Sequence, residues 1–292
     1  MEQTELTLPA TRCGNTVFRW GERTYLMGIC NLSPESFSGD GLGGDVEATL
    51  AQARHMVAGG ADIIDVGGES TRPGTKTASP DDIDGELRLV IPAIERLAAE
   101  LSVPVSIDTY KSGVARRAVE AGAAMINDIW GLQRDPALAE VAAKTGVPIV
   151  LMSNQRDNPT DDIMPAVIAD LTRAIKQAEQ AGVPPQNIII DPGIGFGKTL
   201  EQNLEIIRRL AELKVLEKPI LLGTSRKSMI GLVLDLPADQ RLEGTSATVA
   251  IGIAHGADIM RVHDVKEMAR LCRMSDAIIR NIRNIRRRTI SD

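Results

Sequence analysis

Seven residues scattered along the chain could together do chemistry on a charged, flat substrate. Asp108, Asn127 and Asp191 each close a short apolar run and offer carboxylate or amide acceptors. An ionised carboxylate accepts two parallel hydrogen bonds from an amidine-like edge, so this set suits a planar heterocycle with adjacent N–H donors. Lys227, Arg261 and His263 close later runs and offer donors instead. They suit a phosphate or pyrophosphate, with Asn31 as an oxygen ligand for Mg2+, an ion that takes few protein ligands. His263, flanked by Arg261 and Asp264, reads as an anion ligand, whereas His55 and His255 precede Gly-Ala turns and read as packing or surface residues. Asp65 and Asp128 also end apolar runs, and capping the next helix is an equal claim on each.

Three glycine-rich segments accompany these residues. Gly193-Ile194-Gly195-Phe196-Gly197-Lys198-Thr199 is not a phosphate loop, because Pro192 stands where the leading glycine belongs. It is not a dinucleotide fingerprint either, since Lys198 replaces the third glycine. Its glycines let backbone approach a flat ligand, with Phe196 as an apolar wall. The segments 33–44 and 67–74 have the composition of loops that close over a substrate.

The elements that must position these residues repeat eight times. Apolar, β-branched runs span Tyr25 to Asn31, Asp62 to Gly67, Pro104 to Thr109, Met125 to Ile129, Pro148 to Asn154, Asn187 to Asp191, Pro219 to Ser225 and Ile259 to Asp264. Helical periodicity lies between them, as in Val46 to Ala58, Glu86 to Glu100, Ala137 to Ala143, Ile163 to Ala181 and Glu201 to Leu213. Strand and helix alternating in this way predict an α/β fold, a single (β/α)8 TIM barrel over 24–283, with the carboxyl ends of the strands forming one functional face. Residues 1–23 are expected to hold a short β-hairpin, Thr16 to Trp20 against Arg23 to Leu26 about Gly21-Glu22, plugging the barrel bottom. Residues 284–292 read as a basic tail, and Arg280 to Arg288 as a solvated final helix.

The chain of 292 residues carries a net charge of −6, against general nucleic-acid binding, so an anionic substrate needs local cations. Cys13, Cys30 and Cys272 lack metal-site spacing and read as reduced thiols of a cytoplasmic protein. No secretory leader or run long enough to span a bilayer is evident, and no membrane partner is expected.

The segments Asn31–Ser38, Asp65–Gly74, Ser106–Thr109, Ile126–Asp128, Asp191–Thr199, Ser225–Ser228 and Arg261–Asp264 resemble, in order, the motif series of the dihydropteroate synthase family. The resemblance implies condensation of 6-hydroxymethyl-7,8-dihydropterin pyrophosphate with 4-aminobenzoate, giving dihydropteroate and pyrophosphate in folate synthesis, with Mg2+. It implies that Asp108, Asn127, Asp191 and Lys227 hold the pterin, and that Asn31, Arg261 and His263 bind pyrophosphate and Mg2+. Phe37, Thr71, Arg72, Pro73, Ser225 and Arg226 would form the 4-aminobenzoate side, where sulfonamides compete in this family. Asp108, Asp191, Lys227 and Arg72 are the expected catalytic residues, with Met152 and Phe196 as apolar contacts. The chain departs from the family pattern at Ser153, where histidine is common, at Glu35, where aspartate is usual, and in the order Ser38-Gly39-Asp40-Gly41. The resemblance also implies a homodimer through the last helices. A non-catalytic pterin-binding paralogue and a methyltetrahydrofolate methyltransferase-like barrel are the alternatives; Ser225-Arg226-Lys227 and Ser70–Pro73 speak against the second.

Overall fold

The computed structural model describes residues 8–33, 43–69 and 83–280. Two short strands come first, β1 (Thr11–Cys13) and β2 (Thr16–Phe18), followed by eight barrel strands. These are β3 (Tyr25–Asn31), β4 (Ile63–Gly67), β5 (Val105–Asp108), β6 (Met125–Asp128), β7 (Ile149–Met152), β8 (Ile188–Asp191), β9 (Leu221–Leu222) and β10 (Ile259–Val262). All neighbours in the order β8-β7-β6-β5-β4-β3-β10-β9 are hydrogen-bonded, the barrel pairs are parallel, and a parallel bridge from Ile190 to Ile220 joins the two ends of the sheet. The helices are α1 (Val46–Gly59), α2 (Asp84–Glu100), α3 (Ser112–Glu120), α4 (Leu138–Thr145), α5 (Ile163–Gln180), α6 (Leu200–Arg208), α7 (Ser228–Leu234), α8 (Leu242–Ala254) and α9 (Val265–Ile279). The expected TIM barrel is the observed fold, with α7 as a short extra helix after β9.

Side chains alternate across each strand, and that alternation sorts the residues into two layers. Leu26, Cys30, Ile64, Val66, Ile107, Ile126, Leu151, Ile190, Met260 and Val262 face outward into one cluster with the helices. Tyr25, Met27, Ile63, Met125, Val150, Ile189, Leu221 and Ile259 face inward and fill the lower barrel. Two residues further along the same strands, the inward column turns polar: Ile63 gives way to Asp65, Met125 to Asn127, Ile189 to Asp191 and Ile259 to Arg261. The barrel is thus packed at its base and charged at its mouth.

The hairpin forms, but one turn earlier than expected. β1 and β2 pair across Gly14-Asn15, with Gly14 at φ +57°, a backbone conformation that a two-residue hairpin turn favours. Arg23 to Leu26 is not its second arm, because Tyr25 already begins β3. Its place at the barrel base is as expected: Cys13, Phe18 and Trp20 join the inward cluster, and Phe18 meets Tyr25 edge-on at 4.8 Å between ring centroids. β9 is shorter than Pro219 to Ser225, since beyond Leu222 the chain passes Gly223 and turns at Arg226, whose φ is +56°. Arg280 is not part of a solvated helix: it donates to Asp276 (2.9 Å) and to the Ala257 carbonyl (2.7 Å).

Candidate active site

The strand register brings the polar ends level. Gly67 pairs with Asp108 and Asp108 with Asn127, so these lie in one layer, with Asp65 and its partner Ser106 one layer beneath. Arg261 crosses the mouth from β10: its Nε donates to Asp65 Oδ2 (2.7 Å) and its Nη2 to Asp108 Oδ2 (2.7 Å). Asn127 Nδ2 donates to the same Asp65 oxygen (3.0 Å). The acceptor and donor zones are therefore not separate; Arg261 ties them together.

Burial decides the protonation of this layer. It pushes the Asp108 carboxyl up to about 7, against the pull of Arg261. Asp191 is also raised by burial, opposed by the Gly193 N–H, which donates to Asp191 Oδ1 at 2.7 Å. Burial, reinforced by the Arg261 charge, brings the Lys227 ammonium down to about 8. Lys227 Nζ stands 4.3 Å from the Phe196 ring centroid, and Arg156 lies 4.7 Å from the same centroid. Phe196 and Met152 form an apolar patch with Tyr110, Ile129 and Trp130 beside the acidic residues.

At the other side of the mouth, Ser225 Oγ lies 2.9 Å from His263 Nδ1 and also accepts the His263 backbone N–H at 3.2 Å. The hydroxyl therefore fixes the imidazole. Arg226 turns its guanidinium to Asp264, with Nε at 3.1 Å from Oδ2. Arg241 holds the turn, donating to the carbonyls of Arg226 (2.9 Å) and Lys227 (3.3 Å). Asn31, half-buried, ends β3 level with Gly67. Phe37, Thr71, Arg72 and Pro73 lie outside the described residues, as do Glu35 and the tail from 284.

Several strand-end residues serve the frame. Asp128 accepts from the N–H groups of Trp130 (2.8 Å) and Leu132 (2.7 Å), so it caps a loop instead of the next helix. Asn154 donates to the Ile129 carbonyl (2.9 Å), and His255 Nδ1 lies 2.7 Å from the Ile207 carbonyl. Buried Lys111 pairs with Glu69 (2.8 Å) and Glu86 (3.1 Å), anchoring the end of β4 to α2.

Sequence reasoning did not single out Lys198, Arg241 or the paired role of Asp65. Lys198 is half-buried, donates to the carbonyls of Ser153 (3.0 Å) and Phe196 (3.2 Å), and its ammonium is brought down by desolvation to about 7. No local pattern announces such contacts. For Asp65 a signal existed, because it shares strand parity with the inward residue Ile63.

A barrel whose mouth carries this acidic, half-apolar pocket beside a cationic rim is matched over residues 27–263 by the family described as pterin binding enzyme. A dihydropteroate synthase of Clostridium beijerinckii is 51% identical over 270 residues, 92% of this chain and 99% of its own length. The dihydropteroate synthase of Clostridium difficile, solved in the presence of pteroic acid, superposes with a TM-score of 0.85 at 50% identity, covering 90% of this chain and 99% of that one. The Yersinia pestis enzyme, solved with a sulfonamide drug complex, gives 0.86 at 37% identity, with 92% and 98% covered. The chain belongs to the pterin-binding enzyme family. Within that family it falls among the dihydropteroate synthases, transferases of folate synthesis.

Proposed function

We propose that this chain condenses 6-hydroxymethyl-7,8-dihydropterin pyrophosphate with 4-aminobenzoate through loss of pyrophosphate and a pterin methylene cation, using the residues at the barrel mouth. The observation that carries this reading is the cluster at the barrel mouth, where Asp108 and Asn127 lie level, Arg261 donates to Asp108, and Lys227 feels the charges of Asp191 and Arg261. Asp108 and Asp191 accept from the N–H edge of the pterin and offset the positive charge that develops at the methylene. Asn127 and Lys227 complete the ring contacts, with Met152 and Phe196 against its faces. Arg261 and His263 receive the departing pyrophosphate, and Ser225 holds His263 in place for that task. Ser225 and Arg226, at the turn after β9, contribute to the arylamine side in this reading. The arylamine nitrogen is nucleophilic at neutral pH, so no strong general base is required of the chain. The pocket where 4-aminobenzoate sits is also the place where a sulfonamide would compete.

Mg2+ fits this site as a companion of the substrate. Asn31, at the end of β3, would offer one amide oxygen to the ion, and among the described residues no group of three or more His, Cys, Asp or Glu could hold a metal. That donor set matches an ion that keeps its waters and binds chiefly through phosphate oxygens. When bound, Mg2+ neutralises charge on the leaving group.

The protein acts as a cytoplasmic homodimer in this reading. No helix among the described residues is long and apolar enough to cross a membrane, and Cys13, Cys30 and Cys272 are buried thiols. Leu232 and Val233 on α7, Ile251 on α8, and Met274 and Ile278 on α9 are exposed apolar residues on the last helices, which suits a second copy of the chain. Sedimentation should give twice the 31.4 kDa chain mass, and Ile278→Asp should release monomer.

Titration calorimetry of the pterin pyrophosphate with and without Mg2+ tests the reading. Tighter binding with the ion supports it; Mg2+-independent binding would remove Asn31 from the metal role.

A further inference from the structure

Asp65 is fully buried one layer below the residues assigned to the pterin, too deep for a ligand resting on Asp108 and Asn127. Its Oδ2 nevertheless receives both Asn127 Nδ2 (3.0 Å) and Arg261 Nε (2.7 Å). One oxygen thus fixes two groups that come from β6 and β10, on either side of β4 in the ring but not adjacent to it. Asp65 Oδ1 has no hydrogen-bond partner among the described residues, and neither has Ser106 Oγ in the neighbouring strand. The arginine is held at its Nε by Asp65 and at its Nη2 by Asp108.

We propose that Asp65 is a positioning residue that sets Asn127 for the pterin and Arg261 for the pyrophosphate from a single carboxylate oxygen, coupling the two halves of one substrate. The inference rests on the roles given to Asn127 and Arg261 above. Without Asp65, the amide can rotate and the guanidinium keeps only Asp108, so both contacts to dihydropterin pyrophosphate weaken together. Among the described residues the bonds to this carboxylate come from Asn127 and Arg261 and not from Ser225 or Arg226, so the 4-aminobenzoate side should be spared.

The test is Asp65→Asn, equal in volume, with folding checked by circular dichroism. The expected result is a rise of about 100-fold in KM for dihydropterin pyrophosphate, the scale of a misplaced substrate contact, with KM for 4-aminobenzoate within about threefold. In an Asn127→Ala/Arg261→Lys background the same change should cost less than about threefold more, because the residues through which Asp65 acts are already altered. Equal rises for both substrates, or full additivity, would overturn the proposal. Should Asp65→Asn not fold, Arg261→Lys decides: one ammonium cannot reproduce the paired contacts, so its loss should approach that of Arg261→Ala, and wild-type kinetics would sink the idea. Asn127→Ala and Arg261→Ala separate the layers of the argument. If neither loses activity, the site assignment is wrong and the inference falls with it; if both do and Asp65→Asn does not, the Asp65 role alone fails.

Discussion

Asp108 and Arg261 lie 153 positions apart in sequence and meet at 2.7 Å across the barrel mouth. The contact puts a carboxylate proposed to hold the pterin and a cation proposed to receive its pyrophosphate in direct electrical communication. Asp108→Asn keeps the side-chain volume but removes the charge. It should lower kcat/KM by about 100-fold or more while leaving the barrel folded, as read by steady-state kinetics and circular dichroism. Unaltered kinetics would mean that the pterin lies elsewhere.

The acid limb of the pH profile should belong to Asp108. Its carboxyl is held up to about 7 by burial, so below that pH it is protonated and loses its bidentate acceptor character. kcat/KM for the pterin substrate should fall about tenfold per unit below that point. Arg261→Lys leaves a less well placed cation and should move the limb to higher pH. Folding stability has the opposite sign: a carboxyl raised in the fold favours the protonated native state, so its contribution is complete below the ordinary carboxylate value of 3.8 and is lost as pH rises to about 7. Thermal melts of the wild type and Asp108→Asn across this window would show the two curves converging at low pH; parallel curves would remove Asp108 as the titrating group.

His263→Ala should weaken a pyrophosphate-bearing pterin more than a bare pterin. Ser225→Ala should produce a smaller loss of the same kind, because its hydroxyl holds the ring at 2.9 Å. Binding of both ligands by calorimetry checks this, and equal losses for the two would take His263 out of the anion site.

Gly193 cannot become alanine without cost. Its φ is +72°, and a Cβ there would stand 1.9 Å from the Ser153 carbonyl oxygen. Strain and displacement together should cost about 3 kcal/mol, visible as a lower Tm. Because the Gly193 N–H donates to Asp191, pterin affinity should fall as well. An unchanged Tm would show that the β8 loop has more room than its packing implies.

The barrel was legible because its strands carry their own orientation. In Met125-Ile126-Asn127-Asp128 the parity that sends Met125 inward sends Asn127 inward too, and leaves Asp128 to cap the following loop. The same counting separates Asp65 from Asp128, two residues that look alike as strand endings. The hairpin was misplaced because Gly14-Asn15 and Gly21-Glu22 are both turn-forming, and Tyr25-Leu26 read equally as a hairpin arm and as the start of the first barrel strand; the parallel pairing of Tyr25 with Ile259 leaves only the second. Lys198 and Arg241 were illegible for a different reason. Their partners are backbone carbonyls, at Ser153 and Phe196 for the one and at Arg226 and Lys227 for the other, and any sequence supplies those. Arg261 was recognised as a cation of the mouth, but its bridge between Asp65 and Asp108 depends on side-chain reach across the ring.

The most direct measurement is turnover of dihydropterin pyrophosphate and 4-aminobenzoate with Mg2+ by the purified chain, dihydropteroate being followed by mass alongside the Asp108→Asn variant. The wild type should form dihydropteroate and release pyrophosphate in equal amounts, showing that Ser153 and Glu35 are compatible with catalysis, and the variant should form almost none. Pterin binding without product from the wild type, or equal product from both proteins, would contradict the account.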